Sequence, residues 1–444
     1  MENKLQELES EALKQPYITN VLHTLTDAVD RAEEIRDQQV AKNTELRRAL
    51  IIVEHFLRKT KRLCYGGMAI NAHLPANLKF YDFSKTLPDY DFFSPVPEDD
   101  CDSLIELLNK GKFDNVSKRL GIHEGTYKIF VNYHGVADIT YMSSWLYKKL
   151  YNTSITEDNI HYVDANYLRL GMYLELSRPR GEVERWDKVY KRLILLNHVK
   201  STIYPECKKM YHKNFTIEQN IFGNILDYCI DNNFIYCGAD IARIYESGKD
   251  RAGFILKEHN PFIVYVKNAV SHLSKLRQII YTADKHSTIK IVHWERLTDI
   301  VPEMYGIKIN GHLSILIIEE IYCYSYNTVV IPKHGRLKIA SLDTAIALFF
   351  TLSYLRSLDE LVPGTILCFA HHLVEISKMT RDMNKSGVFP PFVINCQGHQ
   401  PTKESLIKAK VERVTEYKIR ELKKKTKRRG KQYLGKRTRK QRRS

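Results

Sequence analysis

A single residue separates two aspartates in Pro88-Asp89-Tyr90-Asp91-Phe92-Phe93, and this spacing constrains the chain more than any other feature. With Leu87, Phe92 and Phe93 around it, the segment from Asp89 to Ser94 reads as a strand. Side chains on a strand alternate faces, so Asp89 and Asp91 point one way and Tyr90 the other. Two ionised carboxylates among apolar neighbours are costly without a counter-charge, and a cation supplies one. Oxygen-only donors of this kind suit magnesium. Upstream, the apolar run Leu63–Tyr65 enters Gly66-Gly67, and Met68 to Leu74 reads as a brief helix stopped before Pro75. A glycine pair opening a helix lets backbone N–H groups approach an anion closely, and the helix end favours negative charge. A third aspartate, Asp138, lies in another strand-like segment, Val136–Tyr141.

The rest of the chain alternates helical and strand patterns. Residues 1–62 read as helical, with Leu46, Ile51, Val53, Phe56 and Leu57 at helical spacing. Asp99 to Asn109, 166–177 and 183–200 also read as helix, and 75–88 as loop. Thr126–Tyr133 and Val136–Tyr141 read as strands joined by a hairpin at His134-Gly135. A weak repeat adds to this pattern. LCYGGMAINAHL (63–74) resembles FIYCGADIARIY (234–245), and the same offset lays 165–176 over 336–347. At the positions of Asp89 and Asp91 the second copy then has Asn260 and Phe262, and its counterpart of the Asp138 strand, near Leu313–Ile318, is apolar. The expected fold is α/β (α+β). It comprises a helical N-terminal region (1–62), a catalytic domain (63–205), a degenerate copy of it (206–417) and a disordered basic tail (418–444).

At 444 residues, 43% hydrophobic and 11% aromatic, the chain can bury two or three cores. No apolar run reaches the roughly 18–20 residues of a membrane span. The nearest, Ala345–Leu355, is flanked by Asp343 and Arg356, and a soluble protein with no membrane partner is expected. Eight cysteines without a C-x-x-C pair predict reduced, mostly buried thiols and no structural zinc. The net charge of +16 is unevenly spread. Residues 418–444 hold fifteen Lys and Arg against one acid, Glu421, which leaves about +2 for the body.

Paired carboxylates, a third on a neighbouring strand and a glycine-led helix end suit metal-dependent nucleotidyl transfer. There the protein positions the reactants and neutralises charge while two ions activate the hydroxyl and hold the triphosphate. The strings YGGMAIN (65–71), PDYDFF (88–93) and VADITYM (136–142) resemble the core of DNA polymerase β-like nucleotidyltransferases. The stretch MYLELSRPRGEVERWDKVYKRLILLN (172–197) narrows this to the viral poly(A) polymerase catalytic subunits of poxviruses and mimivirus-like giant viruses. The resemblance covers about 50–380. One departure is the twenty-one residues between Gly67 and Asp89, more than is usual in the wider superfamily.

The resemblance implies ligation of two Mg²⁺ or Mn²⁺ ions by Asp89, Asp91 and Asp138, which are also the catalytic residues. It implies phosphate contacts from Gly66 and Gly67, with Asn71 orienting the glycine loop and Arg180, Arg185 and Lys188 meeting triphosphate or RNA. Trp186 is read as core rather than as a stacking platform. The implied activity is addition of AMP from ATP to the 3′ end of viral mRNA, in the virion and host cytoplasm, by a homodimer as in the giant-virus enzymes. Poxvirus enzymes work instead with a separate partner. Lys423, Lys424, Lys425, Arg428 and Arg429 are read as an RNA-tethering arm, with nuclear targeting and packing of nucleic acid in a particle as the other readings. Two alternatives stay open. One is another RNA or small-molecule nucleotidyltransferase, adding CCA or uridines; the other is a non-catalytic RNA-binding processivity subunit.

Overall fold

Asn43 starts the first helix that matters for the site. Its side chain accepts from the Leu46 N–H at 3.0 Å and opens α2 (Thr44–Thr60), after a longer exposed helix α1 (Pro16–Ala41). Leu46, Leu50, Val53 and Leu57 recur at helical spacing and are buried, whereas Ile51 lies on the opposite face, 60% exposed. The computed structural model describes residues 16–200, 218–246, 261–297, 300–355, 363–381, 389–420 and 423.

Behind α2 stands a mixed sheet of seven strands in the order β3-β4-β5-β2-β1-β7-β6. In chain order its elements are β1 (Leu63–Cys64), α3 (Gly66–His73), β2 (Tyr90–Ser94), α4 (Pro97–Lys110), β3 (Val116–Leu120), β4 (Thr126–Val131) and β5 (His134–Tyr141). Then come α5 (Ser144–Thr153), β6 (Ile155–Glu157), β7 (Ile160–Tyr162), α6 (Ala165–Leu176) and α7 (Trp186–Val199). Helices α2 and α4 pack on one face, so the residues before and after the expected boundary at 62 share a core. The expected β4–β5 turn is displaced. It falls at Asn132-Tyr133, both with positive φ (48° and 70°), and His134-Gly135 already belong to β5. Two left-handed residues are what the twist of a tight hairpin requires, and Asn accepts that conformation readily.

A second sheet follows, in the order β10-β11-β12-β9-β8-β14-β13-β15. It contains β8 (Ile235–Tyr236), β9 (Phe262–Val266), β10 (Ile289–Trp294), β11 (Met304–Ile309), β12 (His312–Glu319), β13 (Tyr324–Ile331), β14 (Gly335–Ala340) and β15 (Cys396–Gln397). Its helices are α8 (Gln219–Asp231), α9 (Asp240–Glu246), α10 (Ala269–Ala283), α11 (Leu342–Tyr354) and α12 (Pro363–Thr380). Apart from β15 its strand order repeats the first sheet position for position. Parallel pairs recur at the same places: β2–β5 and β9–β12, β1–β7 and β8–β14.

The register places the correspondence one residue later than the sequence match implies. Tyr65 N donates to Asp91 O as Cys237 N donates to Ile263 O, so the positions matching Asp89, Asp91 and Asp138 hold Pro261, Ile263 and Leu316. The overlay of 165–176 on 336–347 also shifts. Residues 336–347 span β14 and the start of α11, and α11 itself takes the place of α6.

Helices α6 and α11 pack together and join the two cores into one. Tyr354 donates to Asp164, the cap of α6, at 2.6 Å, and Ser325 N donates to Ser177 O at 3.0 Å. The apolar run 345–355 lies buried in this seam, and no described helix is long and apolar enough to cross a membrane. The expectation of reduced thiols is corrected at Cys323, Cys368 and Cys396, which are disulfide-bonded. Cys323 and Cys396 form a disulfide that ties β15 to the start of β13, while Cys64, Cys101, Cys229 and Cys237 are buried free thiols. A last helix, α13, spans 403–420, so the basic segment expected to be disordered from 418 begins helical. Lys424, Lys425, Arg428 and Arg429 lie outside the described residues.

Candidate active site

Alternation along β2 does what the sequence predicts. Tyr90 turns toward α2, where its hydroxyl donates to Glu54 at 2.8 Å, while Asp91 turns to the other face. Parallel pairing sets Asp91 directly beside Asp138 of β5. Asp89, just before β2, completes a cluster in which one oxygen from each carboxylate lies within 4.8 Å of the others. Burial, then the charges of Asp89 and Asp138, push the Asp91 carboxyl up to about 7, against Lys128 and Arg185. Burial also raises Asp138, opposed by a hydrogen bond from Lys128. An all-oxygen set this crowded, with one carboxyl raised by burial and by its two acidic neighbours, fits a divalent cation such as Mg²⁺ or Mn²⁺.

Lys128 is the counter-ion the sequence reading missed. It stands opposite Asp138 in the β4–β5 ladder and its ammonium contacts that carboxylate. The signal was its place among Tyr127, Ile129 and Val131, all buried toward the other face. Only the corrected hairpin register sets it across from Asp138.

Gly66 opens α3 against the cluster. Its φ is +69°, and a Cβ there would lie 2.5 Å from the Asp91 Oδ2. Both the backbone and the close approach therefore demand glycine. Tyr65 precedes the helix without capping it through its side chain, so the first-turn N–H groups have no partner within the helix and face an anion's position. Asn71 is buried, and its side-chain oxygen accepts from Phe80 N (2.9 Å) and Tyr81 N (3.1 Å). It thus acts on the long loop after the helix and clamps that loop over the glycine pair. The Tyr81 hydroxyl then meets Gly67 and Arg192: a Cβ on Gly67 would lie 2.5 Å from that oxygen, and Arg192 donates to it at 3.2 Å.

Arg192 completes a cationic stripe on α7 and the turn before it: Arg185, Lys188 and Arg192, at helical spacing that the sequence displays. Burial and then the two arginines lower Lys188, while Asp89 acts in the opposite sense. Burial opposes the charge on Arg185, but its hydrogen bond to Glu182, the nearby Glu175 and, more weakly, Asp91 raise it. The structure therefore brings Arg185 and Lys188 to the aspartates. Arg180 sits exposed on the turn between α6 and α7. Trp186 is core-facing, donating to Glu175 O at 3.2 Å and packing near Phe392.

Three carboxylates from adjacent strands, a glycine-led helix end and nearby cations form an arrangement suited to metal-dependent nucleotidyl transfer. The family model "Poly(A) polymerase catalytic subunit" matches residues 51–182, the stretch that carries all three aspartates. A protein of Acanthamoeba polyphaga mimivirus named as a poly(A) polymerase catalytic subunit is 29% identical over 191 residues, 40% of this chain and 32% of that one. A protein of African swine fever virus bearing the same name is 29% identical over 161 residues, 36% of this chain and 33% of its own. The match thus spans about a third of the length of these curated relatives. The crystal structure of the Megavirus polyadenylate synthase has the same fold, with a TM-score of 0.69 at 18% identity over 91% of this chain and 84% of that one.

Proposed function

We propose that the protein is a template-independent polynucleotide adenylyltransferase that adds AMP from ATP to the 3′ end of viral mRNA and releases pyrophosphate. The observation that carries this reading is the convergence of Asp89, Asp91 and Asp138 beside Gly66, within the segment that matches the poly(A) polymerase family. Divalent ions held by the three aspartates would neutralise the triphosphate and activate the attacking hydroxyl. The chain's own groups do the positioning. First-turn N–H groups of α3 receive a phosphate, Asn71 holds the loop that covers it, and Arg185, Lys188 and Arg192 balance the remaining charge. The hydrogen bond from Lys128 opposes the rise that burial imposes on Asp138, and Asp138 would be the carboxylate that accepts the hydroxyl proton.

Incubation with each ribonucleoside triphosphate, an RNA primer and Mg²⁺ or Mn²⁺ tests the assignment. Long tails from ATP alone support it; short defined additions or uridine tails favour the other nucleotidyltransferases. Tailing that survives in purified Asp89→Ala would sink the metal-site reading and leave an RNA-binding subunit. Location in the virion and host cytoplasm belongs to the same proposal, supported by the viral relatives and tested by immunolocalisation in infected cells. So does a homodimer. Supporting it, α1 carries Val21, Leu25, Ala28, Ala32 and Ile35 at heptad spacing, with Val21, Leu25 and Ile35 46%, 57% and 57% exposed. Light scattering of Leu25→Asp should give a monomer if this stripe is the contact; an unchanged mass would exclude it.

A further inference from the structure

The long loop between Gly67 and Asp89 is fastened at four places. Asn71 of α3 accepts from the N–H groups of Phe80 and Tyr81. The Arg47 guanidinium of α2 donates to the Phe83 carbonyl at 2.7 Å. Lys79 pairs with Glu157 at the end of the edge strand β6. The Arg192 guanidinium of α7 lies 4.7 Å from the centroid of the Phe80 ring and 5.8 Å from that of Tyr81. Contacts to three helices and a strand thus hold one side chain of the loop, that of Tyr81, against the glycine pair.

The two glycines serve different neighbours. Gly66 has positive φ and faces Asp91, whereas Gly67 lacks a positive φ and faces Tyr81. A Cβ at position 67 would lie 2.5 Å from the Tyr81 hydroxyl oxygen, 3.0 Å from its ring and 3.2 Å from an Arg192 nitrogen. Gly67 therefore makes room for the Tyr81 hydroxyl. That oxygen accepts from Arg192 at 3.2 Å, and among the described residues its own proton meets no acceptor. A guanidinium donating to the oxygen polarises the O–H and strengthens it as a donor. The hydroxyl stands beside the first turn of α3, whose N–H groups also lack a partner within the helix. Donors gathered at one place without an acceptor suit an anion, and the anion that nucleotidyl transfer brings to a glycine-led helix end is a triphosphate.

We propose that Tyr81 binds the triphosphate: its hydroxyl, held by Arg192 and admitted by Gly67, donates to a non-bridging phosphate oxygen of the incoming nucleotide. The proposal rests on the adenylyltransferase reading above. Tyr81→Phe in the full chain removes the hydroxyl and keeps the ring. It should raise the KM for ATP and the Ki of inorganic tripolyphosphate each about tenfold, and leave the KM for an oligoadenylate primer where it was. Tripolyphosphate has neither base nor sugar. A raised KM for ATP with an unchanged tripolyphosphate Ki therefore overturns the proposal and assigns the hydroxyl to the nucleoside. A primer KM raised as much as that for ATP overturns it too, since the effect would then be a general loosening of the site. Gly67→Ala should weaken tripolyphosphate similarly, and should add little once Tyr81 is Phe; effects that multiply in full would separate the glycine from the tyrosine and refute the arrangement. Calorimetry of tripolyphosphate with Mg²⁺ needs no turnover, and equal Kd values for wild type and Tyr81→Phe overturn the proposal whether or not the protein transfers nucleotide. Absence of any transfer by the wild-type protein counts against the adenylyltransferase reading instead, and a tenfold weaker Kd in Tyr81→Phe would still uphold the contact.

Discussion

At the scale of single residues, Asp91 and Gly66 carry the sharpest expectations. The Asp91 carboxyl is raised from an ordinary value near 3.8 to about 7. A raised folded value means that its contribution to stability is present below the unfolded value and is lost as pH rises through about 7. The metal-free protein should therefore lose thermal stability between about pH 4 and 7 by a component missing from Asp91→Asn, and saturating Mg²⁺ should restore it. Because the proton must leave before a cation binds, Mg²⁺ affinity measured by calorimetry should rise with pH through the same window. Identical pH slopes for wild type and Asp91→Asn would refute both. Gly66→Ala forces a left-handed alanine against the Asp91 carboxylate. It should cost about 1–3 kcal/mol of stability and abolish tailing, read by denaturant melts and primer extension.

At the scale of elements, what was legible in the sequence is what local periodicity encodes. The period-two spacing of Asp89 and Asp91 gave the correct face, and the glycine pair marked the helix start. The hairpin turn was misplaced because Gly135 drew attention from Asn132-Tyr133, where Asn132 favours positive φ but Tyr133 does not. That shift hid Lys128, whose partner depends on register. The clamp from Asn71 onto the loop at Phe80 and Tyr81 was equally hidden, since the contact closes a turn of chain with no repeating pattern. Asn71→Ala leaves two loop N–H groups short of a partner and should lower stability by about 1–2 kcal/mol, with a raised KM for ATP as the loop loosens. In the second half, Asp343 on α11 and Arg381 just after α12 form a buried ion pair. Arg381→Met strands the carboxylate and should cost about 3–5 kcal/mol in chemical denaturation, whereas a loss below 1 kcal/mol would show that Asp343 finds another partner.

At the scale of the whole molecule, two sheets of one strand order share a core while, among the described residues, the cluster of three aspartates belongs to the first. The second holds Pro261, Ile263 and Leu316 at the matching places, which suits a structural partner. We read it as a degenerate copy of the first. Charge is divided as unevenly. The body is near neutral and the basic residues gather in the sequence from Lys418 onward. Deleting residues 424–444 should weaken RNA binding at low salt and flatten its salt dependence, since fewer counterions are released. An unchanged slope would assign the tail another role.

The sequence by itself determined the faces of its elements: an aspartate pair on one side of a strand, a glycine-led helix before it, apolar stripes on the helices. Neighbouring residues set those features through backbone geometry, so a single reading frame suffices. Only the tertiary structure decided that Asp138 joins the pair, that Lys128 answers it, that Arg185 and Lys188 lie near enough to act on the aspartates, and that Arg192 meets Tyr81 beside Gly67. It alone joined Phe93, Thr126, Arg296 and Tyr417 around one cavity. Those meetings depend on strand register and on packing between segments hundreds of residues apart, and no local pattern specifies either.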